Sequence, residues 1–141
     1  MTGAISPIPS MNTEVYMSNT DEAIEQEIQA KGLTAPRVTP ADIEANIASE
    51  HYFTAKDGVV GEDVMRPEDY FYAKIDPQLS LLTFCVLVLR NGFTVTGESA
   101  CASPENFDAE IGRKIARQNA VQKILPLLGY ELRTKLVGGA A

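Results

Sequence analysis

Arg113 and Arg117 stand one helical turn apart in a chain of formal net charge -7. Two guanidinium groups at i and i+4 can grip neighbouring phosphate oxygens together, with a forked geometry that lysine lacks. The alternative is a solvated or salt-bridged helix face, with Glu110 placed to neutralise Arg113 or Lys114. Phe93 and Tyr130 are rings on which a purine could stack, a contact contributing about 1 to 3 kcal/mol per base; core packing is their other reading. The usual catalytic sets are missing from the pattern. His51 is the sole histidine and, beside two cysteines, forms no metal-ligand spacing, so it reads as structural. Ser99 and Ser103 sit in no nucleophile motif, and no Walker-type or dinucleotide glycine pattern exists. The acidic pairs Glu62-Asp63 and Glu68-Asp69 read as solvated loop. These residues offer a candidate face for a small anion, set against the solvated reading.

A hairpin and a long helix are expected to position them. Leu81–Arg90 is a run of β-formers, Phe93–Ala102 alternates with Thr and Ser, and Asn91-Gly92 between them is the strongest short turn signal. A two-residue turn would place Val88 opposite Val95, Phe84 opposite Ser99 and Leu82 opposite Cys101. Phe84, Val86, Val88, Phe93 and Val95 would then share one face, with Cys85, Leu87 and Leu89 beside Thr94, Thr96 and Glu98 on the other. The first strand is apolar on both sides, so its second face should meet another part of the chain or another subunit. Ser103-Pro104 is a cap-and-proline helix start. At about 100° per residue, Phe107, Ile111, Ile115, Val121 and Leu125 form an apolar stripe expected to pack on the hairpin. Gln118 and Gln122 fall near the centre of that stripe, which favours a shared interface or a ligand edge. Pro126 should kink or end the helix and Gly129 should stop it.

The rest of the chain reads as cover. Residues 1–18 look like a mobile arm, 19–136 like one α+β domain, and 137–141 like a flexible tail. Thr20–Lys31 reads as a short acidic helix, Thr39–Ser49 as a second with its own cap and proline, and His51–Thr54 as a short strand ended by the turn signal Lys56-Asp57-Gly58. Residues 59–78 read as a loop insert carrying Tyr70-Phe71-Tyr72, and Tyr130–Leu136 as a final edge segment. Residues 1–80 hold 5 basic and 14 acidic groups, whereas 104–136 hold 6 and 4, so the carboxyl-terminal helix is the electropositive part of an acidic protein. That balance argues against a nucleic-acid polymer or a membrane as partner and suits a small anion. Cys85 and Cys101, on opposite faces in the expected register, should not form a disulfide. Reduced thiols, with no signal peptide and no apolar run of membrane-spanning length, point to the cytoplasm.

The stretches EHYFTA-x-DG, LTFCVLVLRNGF, TVTGESACASPENFDAEIGRKIAR and LGYELR are similar to those of a widespread family of small tailed-phage and prophage proteins, some of them now known as the first class of Thoeris anti-defence proteins. The similarity spans residues 49–58 and 81–133. It implies a sponge that binds and hides cyclic ADP-ribose isomers made by TIR-domain enzymes, leaving the messenger uncleaved. Some members also hold cyclic trinucleotides at a separate site. It further implies a homo-oligomer, either a dimer or a hexamer built from dimers, acting in the infected host cytoplasm without a cofactor. By motif, Arg113 and Arg117 would hold the pyrophosphate, with Phe93 and Asn91 or Asn106 assisting. The alternatives are a hydrolase of the same messenger and a phage structural or interaction module.

Overall fold

Three antiparallel strands, β1 (Ile47–Thr54), β2 (Leu82–Leu89) and β3 (Thr94–Ala100), lie in the order β1-β2-β3. Short helices α1 (Asn19–Ala30) and α2 (Pro40–Ala45) precede the sheet, and α3 (Ala55–Met65) follows β1. The chain then ends in α4 (Ala109–Gln122) and α5 (Ile124–Leu136), so the architecture is α+β. The computed structural model describes residues 19–65 and 76–138. The expected arm at 1–18, the cluster Tyr70-Phe71-Tyr72 and the end of the tail lie outside the described residues.

Asn91-Gly92 makes the hairpin, but not with a two-residue loop. The Leu89 carbonyl accepts from the Gly92 amide at 2.9 Å and the Leu89 amide donates to the Phe93 carbonyl at 2.8 Å, so Arg90, Asn91 and Gly92 form a three-residue loop. Gly92 takes the left-handed position, at φ 90°, that such a loop requires at its last residue. The pairing therefore shifts by one: Leu82 faces Ala100, Phe84 faces Glu98 and Val88 faces Thr94. One extra loop residue exchanges the partners of every side chain. Cys85, Leu87, Leu89 and Val95 now share a buried face, on which Cys85 lies opposite Gly97. By the same parity Cys101 falls on the Cys85 side of the ribbon rather than the opposite one, and both thiols are free.

The face of α4 that meets this surface is also not the one its apolar stripe suggested. Gly112, Ala116 and Ala120 are buried, whereas Ile111, Ile115 and Leu125 remain exposed. Small residues prevail because the backbones approach very closely: a Cβ built on Gly97 would lie 2.2 Å from the Ala116 carbonyl oxygen and 2.3 Å from the Ala120 nitrogen. Ile124 and Leu87, both fully buried, fill the remaining volume, each burial contributing about 1.5 to 3 kcal/mol. The opposite sheet face is partly covered by α3, where Phe53 stacks on Phe84 with ring centroids 5.4 Å apart and Gly58 beneath the Phe53 ring.

Several boundaries move for local reasons. The helix opening at Thr39-Pro40 forms, with a reciprocal Thr39–Asp42 capping box, but it stops at Ala45 because β1 already begins at Ile47. Lys56-Asp57-Gly58 is not a turn. Thr54 and Asp57 exchange the same two capping bonds, at 2.9 and 3.1 Å, and start α3 at Ala55, so that the helix runs on into the first part of the expected loop insert. Asp108, not Ser103, caps α4, its carboxylate accepting from the Ile111 amide at 3.0 Å, while Pro104–Asn106 form a single 3-10 turn. Pro126 begins a helix rather than ending one. It lies in the first turn of α5, where its missing N–H has no helical partner to lose. Gly129 and Tyr130–Leu136 are accordingly helical, with no edge segment there.

Candidate functional site

Arg117 is 4% exposed and faces two carboxylates. Its Nη1 and Nη2 donate to Glu44 at 3.1 and 2.8 Å, and its Nε donates to both oxygens of Glu50 at 3.2 and 3.1 Å. The Tyr52 hydroxyl completes the knot by donating to Glu50 at 2.6 Å. Burial alone would raise the Glu50 pKa, but the hydrogen bonds from Arg117 and Tyr52 outweigh it and hold the carboxyl below its ordinary value. Burial pushes the Tyr52 phenol up, and the Cys85 thiol beside it up to about 11. The four residues of the knot come from α2, β1 and α4, so Arg117 ties α2 and β1 to the long helix.

Arg113, one turn earlier on the same side, is exposed and makes no ion pair or hydrogen bond among the described residues. The neighbouring pair is Lys114–Glu110, at 3.8 Å. Asn106 is exposed in the turn before α4, and Tyr130 is 79% exposed on α5. Asn91 and Phe93 lie together at the hairpin tip, the Asn91 side-chain oxygen accepting from the Phe93 amide at 2.9 Å, and Phe93 is 56% exposed. Gly112, next to Arg113, packs on Thr83 at the other end of β2. Phe93 follows the opposite end of β2, about 20 Å along the strand from Thr83, so Arg113 and Phe93 belong to opposite ends of the sheet. The structure brings Asn91 and Phe93 into one place and leaves Arg113, Arg117, Asn106 and Tyr130 elsewhere.

That place is a cleft of about 910 Å³ between the hairpin tip, α2 and α5. Leu89, Leu127, Leu128 and Leu132 give it an apolar lining, Asn46 and Asn91 bring amide groups, and Phe93 stands at its edge. Arg37, Arg90 and Lys135 bring positive charge, against Asp42 and Glu131. The cations differ in freedom. Arg37 is held bidentately by Glu25 at 2.9 and 2.7 Å, and with Gln29 it keeps the Glu25 carboxyl down at about 2. Lys135 pairs with Glu131 at 3.6 Å. Arg90 makes no ion pair among the described residues. Its Nε donates to the Ala45 carbonyl and its backbone amide to the Asn46 carbonyl at 3.0 Å, which aims the guanidinium from the end of α2. An apolar floor with a guanidinium outside any ion pair, two amides and an exposed ring can hold a flat base and an anionic group together.

Of the residues singled out in the sequence, Asn91 and Phe93 line this cleft; Arg90, Asn46 and Lys135, which line it too, were not singled out. Arg90 had a usable signal, since a lone arginine ends an apolar strand beside a glycine turn. Lys135 had none, because the segment carrying it was expected to extend the sheet. On the other side of α2 a second hollow of about 440 Å³ runs between α1 and α4, and Gln118 and Gln122 line it with Ile24, Ile28 and Leu125. Among the described residues no cluster of His, Cys, Asp or Glu could hold a metal ion, and no helix is long and apolar enough to cross a membrane.

The comparisons with curated proteins and with solved structures found no match. The comparison with protein families matches residues 38–136, which take in α2 to α5, the Arg117 knot and nearly all of the cleft. With that span, the chain belongs to the phage protein (N4 Gp49/phage Sf6 gene 66) family.

Proposed function

We propose that this phage-family protein binds and sequesters a small cyclic nucleotide signal of the cyclic ADP-ribose isomer class, without cleaving it. The observation that carries the reading is the cleft at the hairpin tip, where Arg90, Asn46, Asn91 and the open Phe93 ring surround an apolar floor. Such a ligand has a purine to stack and a pyrophosphate to neutralise, and the cleft offers one group of each kind, with Lys135 as a second cation. Holding a messenger tightly enough to silence it requires no general base or nucleophile.

Titration calorimetry with cyclic ADP-ribose isomers, and with cyclic trinucleotides as the second ligand class, tests this directly. Binding followed by recovery of intact ligand after heat denaturation is the expected result. Breakdown products would make the protein a hydrolase instead, and absence of binding below millimolar concentration would favour an interaction module. Arg90→Ala is expected to weaken binding by about 1.5 to 3 kcal/mol, the range for hydrogen bonds to a charged group, and Phe93→Ala by about 1 to 3 kcal/mol. Unchanged calorimetric affinity in the folded double variant would remove the cleft from the proposal.

The same reading includes self-association. Ile111, Ile115 and Leu125 are 54%, 42% and 49% exposed on the outer side of α4 and the start of α5, an apolar row of the kind that subunits cover. Ile115→Glu is expected to lower the oligomeric mass seen by light scattering while leaving the fold unchanged. A wild-type chain that is monomeric at tens of micromolar would reject this part.

A further inference from the structure

We infer that Arg117 is a positioning residue for the cleft: through Glu44 it fixes α2, the wall from which Arg90 is aimed. The inference rests on the reading of the cleft as the ligand site, and it gives the buried guanidinium a role other than contact with the ligand. The chain of contacts is continuous. Arg117 on α4 grips Glu44 through both terminal nitrogens, at 3.1 and 2.8 Å. Glu44 is followed by Ala45 and Asn46, whose carbonyls accept from the Arg90 side chain and backbone respectively. Asn46 also lines the cleft itself, as do Ala45 and Asp42.

The wall needs such a hold. α2 is six residues long and contributes no buried residue of its own, and an isolated helix of that length has almost no intrinsic stability. Its two sides border the two hollows, with Asp42, Ala45 and Asn46 toward the cleft and Pro40, Ile43 and Glu44 toward the groove beside α1. Ile43 packs, half-buried, against the core, and the polar anchors at Glu44, Ala45 and Asn46 fix the helix's remaining freedom. A forked guanidinium on a carboxylate fixes distance and orientation together, which a lysine ammonium does not. Glu50 shares the same guanidinium but belongs to β1, which β2 already holds through a ladder of pairs from Ile47 to Thr54. Removing either carboxylate takes a partner from Arg117; only one of them also releases the cleft wall.

Glu44→Gln and Glu50→Gln separate positioning from general stability. In the full-length protein, the amide hydrogen of Arg90, which donates to the Asn46 carbonyl, is expected to exchange about ten-fold faster in Glu44→Gln than in wild type, with the Leu87 amide in the sheet core unchanged. Glu50→Gln should leave the Arg90 amide as in wild type. With a cyclic ADP-ribose isomer as the probe, Glu44→Gln is expected to lose about five-fold in affinity, and Arg90→Ala should cost less in that background than alone, the mark of coupled residues. Glu50→Gln should bind within two-fold of wild type. Equal Arg90 exchange in the two glutamine variants, or strictly additive losses for Glu44 and Arg90, would overturn the inference. Faster Arg90 exchange in Glu44→Gln together with a wild type that binds no cyclic nucleotide would uphold the mechanical link and reject the ligand reading alone.

Discussion

Replacing Gly97 by alanine is expected to destabilise the protein by about 3 kcal/mol or more, near the upper end for forcing a methyl group into a packed core. The added Cβ would sit 2.2 Å from the Ala116 carbonyl oxygen, 2.3 Å from the Ala120 nitrogen and 2.9 Å from the Ala120 Cα. All three are backbone atoms of a helix interior, so no side chain can swing aside. The whole of α4 must lift from the sheet, which opens the contact among Ala116, Ala120, Leu87 and Cys85, every one of them fully buried. The effect is one of space, since Gly97 is not among the glycines with positive φ. Gly61→Ala provides the contrast. It lies in α3 with nothing within 4 Å of its Cβ position, and should stabilise by about 0.5 to 1 kcal/mol through the lower chain entropy of alanine. Urea unfolding of both variants checks the pair. A midpoint for Gly97→Ala close to that of wild type would mean that α4 does not seat as closely as described.

Arg117→Ala should lower stability at neutral pH by about 3 kcal/mol, the low end for breaking a buried ion pair, because Glu44 and Glu50 retain 26% and 36% exposure and some hydration. The cost comes from what stays behind: two neighbouring carboxylates on α2 and β1 with their shared cation gone. Its pH dependence follows from Glu50, whose carboxyl is held below its ordinary value in the folded protein. A depressed carboxylate contributes stability that is present above its unfolded pKa, about 4.3, and that is lost as pH falls through the folded value. Acid therefore removes this contribution from the wild type. In Arg117→Ala the same protonation relieves repulsion instead. The stability gap between the two proteins should thus be widest near neutrality and should narrow steadily below about pH 4. Thermal unfolding across that range measures it. A gap that is constant with pH would show that the lost interaction is packing rather than charge.

What was legible in the sequence were the features that a few adjacent residues decide. Asn91-Gly92 required a tight reversal because glycine tolerates positive φ, and the apolar run from Leu82 to Leu89 required a strand buried on at least one face. Thr39-Pro40-x-Asp42 carried its own cap. The i, i+4 spacing put Arg113 and Arg117 on one side of a helix, and the α+β class followed from these elements. Two-residue and three-residue loops, however, both place a glycine at the tip, and only the bonds between Leu89 and its partners choose between them. That choice moved Val95 and Gly97 onto the buried face.

Tertiary structure alone decided the rest, because each decision depends on groups far apart in the chain. Periodicity identified the large apolar stripe of α4, yet the glycine and alanine side packs inward, since backbone approach over Gly97 excludes anything bulkier. The fate of Arg117 was set by Glu50 and Glu44, 67 and 73 residues away, which no spacing rule connects to it. Pro126 lies in the first turn of α5, and that helix lines the cleft with Leu128 and Lys135 opposite Asn91 and Phe93. Local chemistry selects the elements of this protein; the distances between their backbones select which charges are paired inside the fold and which stay exposed.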